Sequence, residues 1–273
     1  ALYPFLAGVI AANDLWDCHY AEPFAGGAGA ALSLLLRERV SRVLLNDVDY
    51  CVYAFWKSAI EQQTRFLRLL EEVPIDMDEW HRQHHVYSHP RSHSRLRVGF
   101  ATFFLNRCNR SGIIASGGPI GGYEQSGRWQ LSARFNRASL RKRIERLGAY
   151  KERIEVYNMD AVQFLKHMVR PRARRHKVLV YLDPPYCGKG HRLYLNAYED
   201  RDHINLSRYI KRQSAYKWVL TYDNADTIRE LYRDLRPRQF GLSYTAYCRR
   251  AGQELLICPE GLAAPLGLLP LPP

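Results

Sequence analysis

The chain has 273 residues, 47% hydrophobic and 25% charged, with a formal net charge of +13 and a pI near 9.6. This composition excludes a disordered chain, and the length suits one large domain or two small ones. The basic excess is mostly Arg, which points to a polyanionic partner because guanidinium groups bind phosphates and base edges with paired donors.

The chain begins at Ala1 without Met, which leaves room for residues before it. Its apolar Leu6 to Ala12 stretch lacks the basic region that precedes a signal sequence. No run approaches the roughly 18 apolar residues of a membrane span, so a soluble protein is expected. Cys18, Cys51, Cys108, Cys187, Cys248 and Cys258 form no CxxC pair, and a reducing cytoplasm is expected rather than a disulfide framework or a cysteine zinc site.

Cys18 to Glu22 reads as a short strand. It feeds the glycine turn Pro23-Phe24-Ala25-Gly26-Gly27-Ala28-Gly29, and Ala30 to Arg39 has the character of a helix start. Arg42 to Leu45 is a second strand ending in Asn46-Asp47, and Val48 to Val73 has helical periodicity stopped by Pro74. From about Asp76 to Asn136 the pattern gives way to His-, Arg- and Gly-rich stretches, with Phe100 to Leu105 as the one clear apolar element. This region reads as an inserted domain. Arg91 to Arg146 holds twelve Arg or Lys against two acids, Glu124 and Glu145, so most of the net charge is one patch.

Ala138 to Lys151 then reads as a basic amphipathic helix, Ile154 to Tyr157 as a strand closing at Asp160, and Ala161 to Val169 as a helix. Arg170 to Lys177 is a basic connector that either contacts a nucleic-acid backbone or is merely solvated. Val178 to Leu182 is a continuous apolar run of the kind buried in parallel sheets, and Asp183-Pro184-Pro185-Tyr186 leaves it. A helix around Leu206 to Gln213, a strand Trp218 to Tyr222, a helix Asp226 to Tyr232 and two β-rich runs, Phe240 to Tyr247 and Glu254 to Cys258, complete the pattern. The last two are read as a hairpin about Arg249-Arg250-Ala251-Gly252. The Leu/Pro-rich tail from Leu262 reads as poorly ordered. The implied divisions are 1–73 and 138–260 for a catalytic domain, 74–137 for the insert and 261–273 for a flexible tail.

The chemistry concentrates in the tetrad. Two prolines fix φ near −65° and remove two amide donors, so the Pro184 carbonyl is held beside the Asp183 carboxylate. Two acceptors then face the hydrogens of an exocyclic amine, and Tyr186 offers a ring for stacking. Asp47 lies about twenty residues after the glycine turn, where a second-strand acid accepts ribose hydroxyls in doubly wound sheets. Gly26-Gly27-Ala28-Gly29 is not GxGxxG, which weakens a dinucleotide reading, and Glu22 suits a cationic ligand. Asp160 could equally be a helix N-cap. In the insert, Asn106, Arg107, Asn109, Arg110 and Ser111, joined by Arg128, Arg134 and Asn136, form a polar set able to contact phosphates or base edges. Gly117 to Tyr123 reads as a hairpin-like loop. The histidines His81, His84, His85, His89 and His93 read as a solvated or DNA-facing surface rather than a metal site. Cys187 reads as a small filler.

Glu22 to Gly29, Asn46-Asp47, Phe104-Leu105-Asn106-Arg107 and Asp183 to Tyr186 stand in the order seen in DNA adenine-N6 methyltransferases of the Dam type, which the chain resembles from roughly Tyr20 to Cys258. The resemblance implies an α/β, Rossmann-like methyltransferase sheet with helices on both faces and a closing hairpin, carrying an inserted helical DNA-recognition domain. It implies S-adenosylmethionine bound by Glu22, Pro23, Phe24, Ala25, Gly26, Gly27, Gly29, Asp47, Asp160 and Asp183. It also implies a target adenine flipped out of double-stranded DNA onto Asp183, Pro184, Pro185 and Tyr186. Such an enzyme would be cytoplasmic, bacterial or phage-encoded, and monomeric or at most a transient dimer. Cytosine N4, an RNA adenine, or a non-catalytic DNA-binding role are the alternatives. The family's N-terminal KWAGGK element has no clear copy; Tyr3 to Gly8 is a remnant at best.

Overall fold

The computed structural model describes residues 2–186, 198–244 and 250–269, and the side chains of 242–244 and 250–252 are not described. In chain order the main elements are α1 (Tyr3–Ala12), β1 (His19–Glu22), α2 (Gly29–Leu35), β2 (Arg42–Asn46), α3 (Tyr50–Glu61), α4 (Gln63–Glu72), α5 (Met77–Ser88), α6 (Arg95–Cys108) and α7 (Arg137–Ala149). Then follow β3 (Ile154–Tyr157), α8 (Ala161–Phe164, prolonged by a π turn over Leu165–Val169), β4 (Val178–Leu182), a helix Asp200–Ile210, β5 (Lys217–Asp223), a helix Asp226–Leu231, β6 (Arg238–Tyr244) and β7 (Arg250–Ile257). The backbone divides into two compact units, one made of 1–48 and 153–273, the other of 49–152.

The first unit is built on one seven-stranded sheet of order β3-β2-β1-β4-β5-β7-β6. The first five strands are parallel, and β7 and β6 close the sheet antiparallel. This is the expected Rossmann-like sheet with its closing hairpin. Chain order reverses between β1 and β4, and such a switch point opens a crevice at the carboxyl ends of the strands. Register sorts the side chains. Ala21 pairs with Val180, Leu182 with Leu220, and Thr221 with Leu256. With alternation along each strand, Ala21, Val180, Leu182, Leu220, Leu255 and Ile257 fall on one face, where they form an apolar core with Phe164, Trp218 and Tyr232. Tyr20, Glu22, Tyr181, Asp183, Thr221 and Glu254 fall on the other, so a polar ladder crosses β1, β4, β5 and β7.

The second unit has a core of stacked and edge-packed rings: Phe66 lies against Phe55, Phe100 and Phe103, and Phe135 against Phe103 and Phe104. At Gly99 a Cβ would meet the Ala54 carbonyl at 2.4 Å, so only glycine lets α3 and α6 cross this closely. The stretch read as one helix from Val48 to Val73 is two, because Gln62 leaves helical backbone (φ −117, ψ 34) between α3 and α4. Helix α5, hidden in the His-rich stretch, is fixed by an Asp76 cap on the Glu79 amide at 2.7 Å. The unit is wider than the insert read at 74–137, since α3, α4 and α7 supply part of its aromatic and hydrogen-bonded interior. Arg137, for example, donates to the carbonyls of Leu70 and Val73.

Two expectations about the ends change. Tyr3 to Gly8 is the first turns of α1, and a Cβ at Gly8 would meet Leu268 at 2.5 Å and Pro265 at 2.8 Å. The tail read as poorly ordered is therefore docked as far as residue 269. Asn13 reinforces it, donating to the Ala263 carbonyl at 2.8 Å and accepting from the Ala263 amide at 3.0 Å. Cys187 and the hairpin turn at Arg249 lie outside the described residues. No helix among the described residues is long and apolar enough to cross a membrane.

Candidate active site and nucleic-acid interface

The glycine turn after β1 is organised from β2. The Asn46 carbonyl accepts from the Ala25 amide at 2.8 Å, and its buried side chain donates to the Pro23 and Met159 carbonyls at 2.9 and 3.0 Å while accepting from the Met159 amide at 3.0 Å. One amide side chain thus ties the loop after β1 to the loop after β3. Asp47 accepts from the Gly26 amide at 2.9 Å, which places its carboxylate against the turn. Gly26 has φ +45, a left-handed conformation that favours glycine. Gly27 and Gly29 have no such conformation, and a Cβ at either would meet nothing within 4 Å. Packing within the protein does not explain them; the exposed backbone leaves room for a ligand at close range. Pro23 and Ala25 are buried, and half-buried Phe24 stands edge-on to the Tyr198 ring at 5.5 Å.

Asp160 caps α8, accepting from the Gln163 amide at 3.0 Å, and is exposed. The alternative reading of a helix cap is therefore realised, with the side chain still open at the strand edge. Glu22 is not an open charge. It is buried, accepting from the Tyr20 hydroxyl at 2.9 Å and the Ala31 amide at 3.0 Å, and burial pushes its pKa up to about 8, with nearby Asp183 adding to the rise.

Asp183 leaves β4 beside it. Solvent reaches the carboxylate, but protein atoms crowd it, and this desolvation raises its pKa to about 6 against a lowering by the Thr221 hydroxyl. Thr221 Oγ1 donates to Asp183 Oδ1 at 3.1 Å. Pro184 is buried and Pro185 half-buried. The Tyr186 hydroxyl donates to Glu254 Oε1 at 2.7 Å, so the ring is anchored to β7 at its far end. Glu254 is itself buried, and its pKa is pushed up to about 7 by desolvation, opposed by Tyr186 and assisted by Asp183 and Asp223. Three carboxylates with raised pKa values, Glu22, Asp183 and Glu254, thus line one face of adjacent strands. Such an edge favours cations and hydrogen-bond donors.

Sequence reasoning named Asp183 and Tyr186 but missed Thr221, Glu254 and the clamp role of Asn46. Their signal was a polar side chain inside an otherwise apolar strand, as in Val219-Leu220-Thr221-Tyr222 and Glu254-Leu255-Leu256-Ile257, because a buried polar group has to have a partner.

In the second unit the predicted contact residues separate into two kinds. Asn109 is fully buried: it donates to the Ile113 carbonyl at 2.9 Å and accepts from Trp80 Nε1 at 2.8 Å. It is a brace for the loop after α6, and a base-contacting role does not fit it. Asn106 is similarly engaged, donating to the Gly112 carbonyl at 2.9 Å and accepting from Arg107. Asn136 caps α7 through the Ser139 amide at 2.9 Å. By contrast Arg110, Ser111, Arg128 and Arg134 are exposed, and Arg128 lies 5.4 Å from the ring of exposed Trp129. Arg134 donates to the Asn109 carbonyl at 3.3 Å. Half-buried Arg107 has its pKa lowered by burial and by Arg134 and Arg143. None of Arg107, Arg110, Arg128 and Arg134 has an acidic partner among the described residues. The predicted hairpin-like loop is a set of turns held by a bridge between Asn109 and Pro119. Among the histidines, His84 stacks on Trp80 and His85 lies over His89. Arg172 in the basic connector forms a two-pronged ion pair with Glu155, at 2.6 and 2.9 Å.

The family model for the D12 class of N6 adenine-specific DNA methyltransferases matches residues 2–247. No curated protein matches the chain at a significant level. Among solved structures, an uncharacterized protein from Listeria monocytogenes serotype 4b aligns at 8% identity and a TM-score of 0.39, over 94% of this chain and 67% of that one. A Streptococcus pneumoniae protein proposed to be a tRNA (m1A22) methyltransferase aligns at 8% identity and a TM-score of 0.39, over 96% of this chain and 73% of that one. Those structural likenesses are too slight to argue from, whereas the family match spans nearly the whole sequence. The chain belongs to the D12 class of N6 adenine-specific DNA methyltransferases.

Proposed function

We propose that S-adenosylmethionine is the methyl donor, that it binds along the glycine turn and Asp47, and that the adenine amine is received by Asp183 and its two prolines. The observation that carries this is the paired arrangement at the switch point. A glycine turn whose Gly27 and Gly29 face open space stands at the end of one strand, and a carboxylate with one oxygen tied to Thr221 stands at the end of the next.

The residues present fit this donor. Asp47 against the turn suits ribose hydroxyls, and the raised pKa values of Glu22, Asp183 and Glu254 describe an edge short of positive charge. When bound, S-adenosylmethionine supplies an electrophilic methyl group. The protein's own work is on the acceptor. The N6 lone pair of adenine is delocalised into the ring and must be localised to attack. Hydrogen bonds from the amine to Asp183 and to the Pro184 carbonyl draw it towards tetrahedral geometry and aim it, so the contribution is positioning and electrostatics. Asp183 must be ionised to accept both in its resting geometry and as charge develops on nitrogen. Extruding the base from the duplex costs a few kcal/mol, which stacking on Tyr186 partly offsets; Glu254 keeps that ring from turning away. Arg107, Arg110, Ser111, Arg128 and Arg134 bind the duplex, largely through phosphates. The protein acts as a monomer.

Incubation with tritiated S-adenosylmethionine and duplex DNA, followed by nucleoside analysis, tests this reading. Label in N6-methyladenine supports it; label in N4-methylcytosine, or none with DNA but some with RNA, overturns it.

A further inference from the structure

We infer that Thr221 is the positioning residue for Asp183, holding one carboxylate oxygen so that the other is presented to the target amine. The inference rests on the assignment of Asp183 to that amine. Three groups form a chain on one sheet face: the Tyr181 hydroxyl lies 2.8 Å from Thr221 Oγ1, and Thr221 Oγ1 lies 3.1 Å from Asp183 Oδ1. Thr221 and Tyr181 are both buried.

The direction of this chain follows from counting protons. An ionised carboxylate only accepts, and each hydroxyl carries one hydrogen. Thr221 therefore gives its hydrogen to Asp183, and Tyr181 must give its own to Thr221. Neither hydroxyl has a second hydrogen with which to adopt another arrangement. The carboxyl torsion of an aspartate is otherwise broad, so without this bond the plane of Asp183 has no fixed orientation beside the rigid Pro184 carbonyl. Threonine suits the task because its branched side chain has few rotamers on a strand.

The other groups facing Asp183 do not substitute for Thr221. Glu22 from β1 and Glu254 from β7 are carboxylates that interact with it unfavourably. Tyr181 on its own strand reaches it only through Thr221. The Thr221 hydroxyl is also the one group that lowers the Asp183 pKa against its burial. Orientation and ionisation of the acceptor are therefore set from the same atom.

The test compares Thr221→Val, Thr221→Ser and the double variant Tyr181→Phe/Thr221→Val with the parent in methyl transfer to duplex DNA between pH 5 and 9, with S-adenosylmethionine affinity and thermal unfolding measured alongside. Thr221→Val should lower kcat by about tenfold and move the acid limb of the profile upward from near pH 6 by about one unit, with cofactor affinity unchanged. Thr221→Ser should restore both. Thr221→Val alone strands the Tyr181 hydroxyl, so instability could mimic the effect; the double variant removes both partners and should recover stability. Persistence of the slow rate and shifted limb in the stable double variant supports positioning. Recovery of the parent profile there, or parent activity and an unmoved limb in Thr221→Val, overturns it. Full activity in Asp183→Ala would instead overturn the underlying assignment of Asp183.

Discussion

The two units carry opposite electrostatic surpluses. At the carboxyl edge of the sheet, Glu22, Asp183 and Glu254 are crowded together with hydroxyls and no cation, and their pKa values rise. In the second unit, Arg107, Arg110, Arg128 and Arg134 stand without acids, and Arg107 is destabilised by its cationic neighbours. Folding alone favours neither arrangement, since each would be relieved by importing an opposite charge. The difference teaches where the partners act: a polyanion at the arginines, and a sulfonium with an amine donor at the carboxylates.

The largest effect is expected on the arginine side. Replacing Arg110, Arg128 and Arg134 together with Ala should weaken duplex binding by about 10²- to 10³-fold at low salt and flatten the salt dependence by about three lost contacts. Melting temperature should not change, because these side chains are exposed. Affinity measured across a salt series checks this, and an unchanged slope would remove these arginines from the interface.

On the carboxylate side, Asp47→Ala should raise the KM for S-adenosylmethionine by about 10- to 100-fold, the loss of a charge-assisted hydrogen bond, with smaller change in kcat once saturated. Gly27→Ala is a sharper probe, since its Cβ meets no protein atom. Unfolding should be unaffected while cofactor affinity drops by about tenfold; calorimetry showing parent affinity would deny the turn its ligand.

The smallest effect is a pH dependence. Glu22 at about 8, Glu254 at about 7 and Asp183 at about 6 all lie above ordinary unfolded values near 4. For a raised carboxylate, stabilisation is complete below the unfolded pKa and is lost as pH rises through the folded one. The ligand-free protein should therefore lose stability from this source between about pH 4 and 8. S-adenosylmethionine should recover more of it at pH 8 than at pH 6, and the neutral S-adenosylhomocysteine less. Thermal shifts with both ligands at the two pH values compare them; equal shifts would mean the sulfonium does not meet this edge.

Much of the first unit is legible in the sequence. Val178 to Leu182 reads as a buried strand because parallel strands covered on both faces are apolar without alternation. The motif at its end and the glycine turn then fix the switch point. The polar ladder was not legible, because it depends on register: Thr221 meets Asp183, and Glu254 meets Tyr186, only once β5 and β7 are paired in one frame. The second unit was harder still. Its helix α5 is rich in His, a middling helix former, and its aromatic core mixes residues from α3, α4, α6 and the segment before α7. Asn109 shows the limit: its place in a polar cluster suggested a base contact, yet its side chain faces inward to Trp80. Asn46 shows the same for the cofactor loops, where a residue next to the expected acid is the one that holds the turn.

The central claim is that Asp183 receives the adenine amine. Asp183→Ala, shown by calorimetry to bind cofactor and duplex as the parent does, should form N6-methyladenine in single-turnover assays about 10²- to 10³-fold more slowly. Parent-rate formation of N6-methyladenine by that variant would contradict the account.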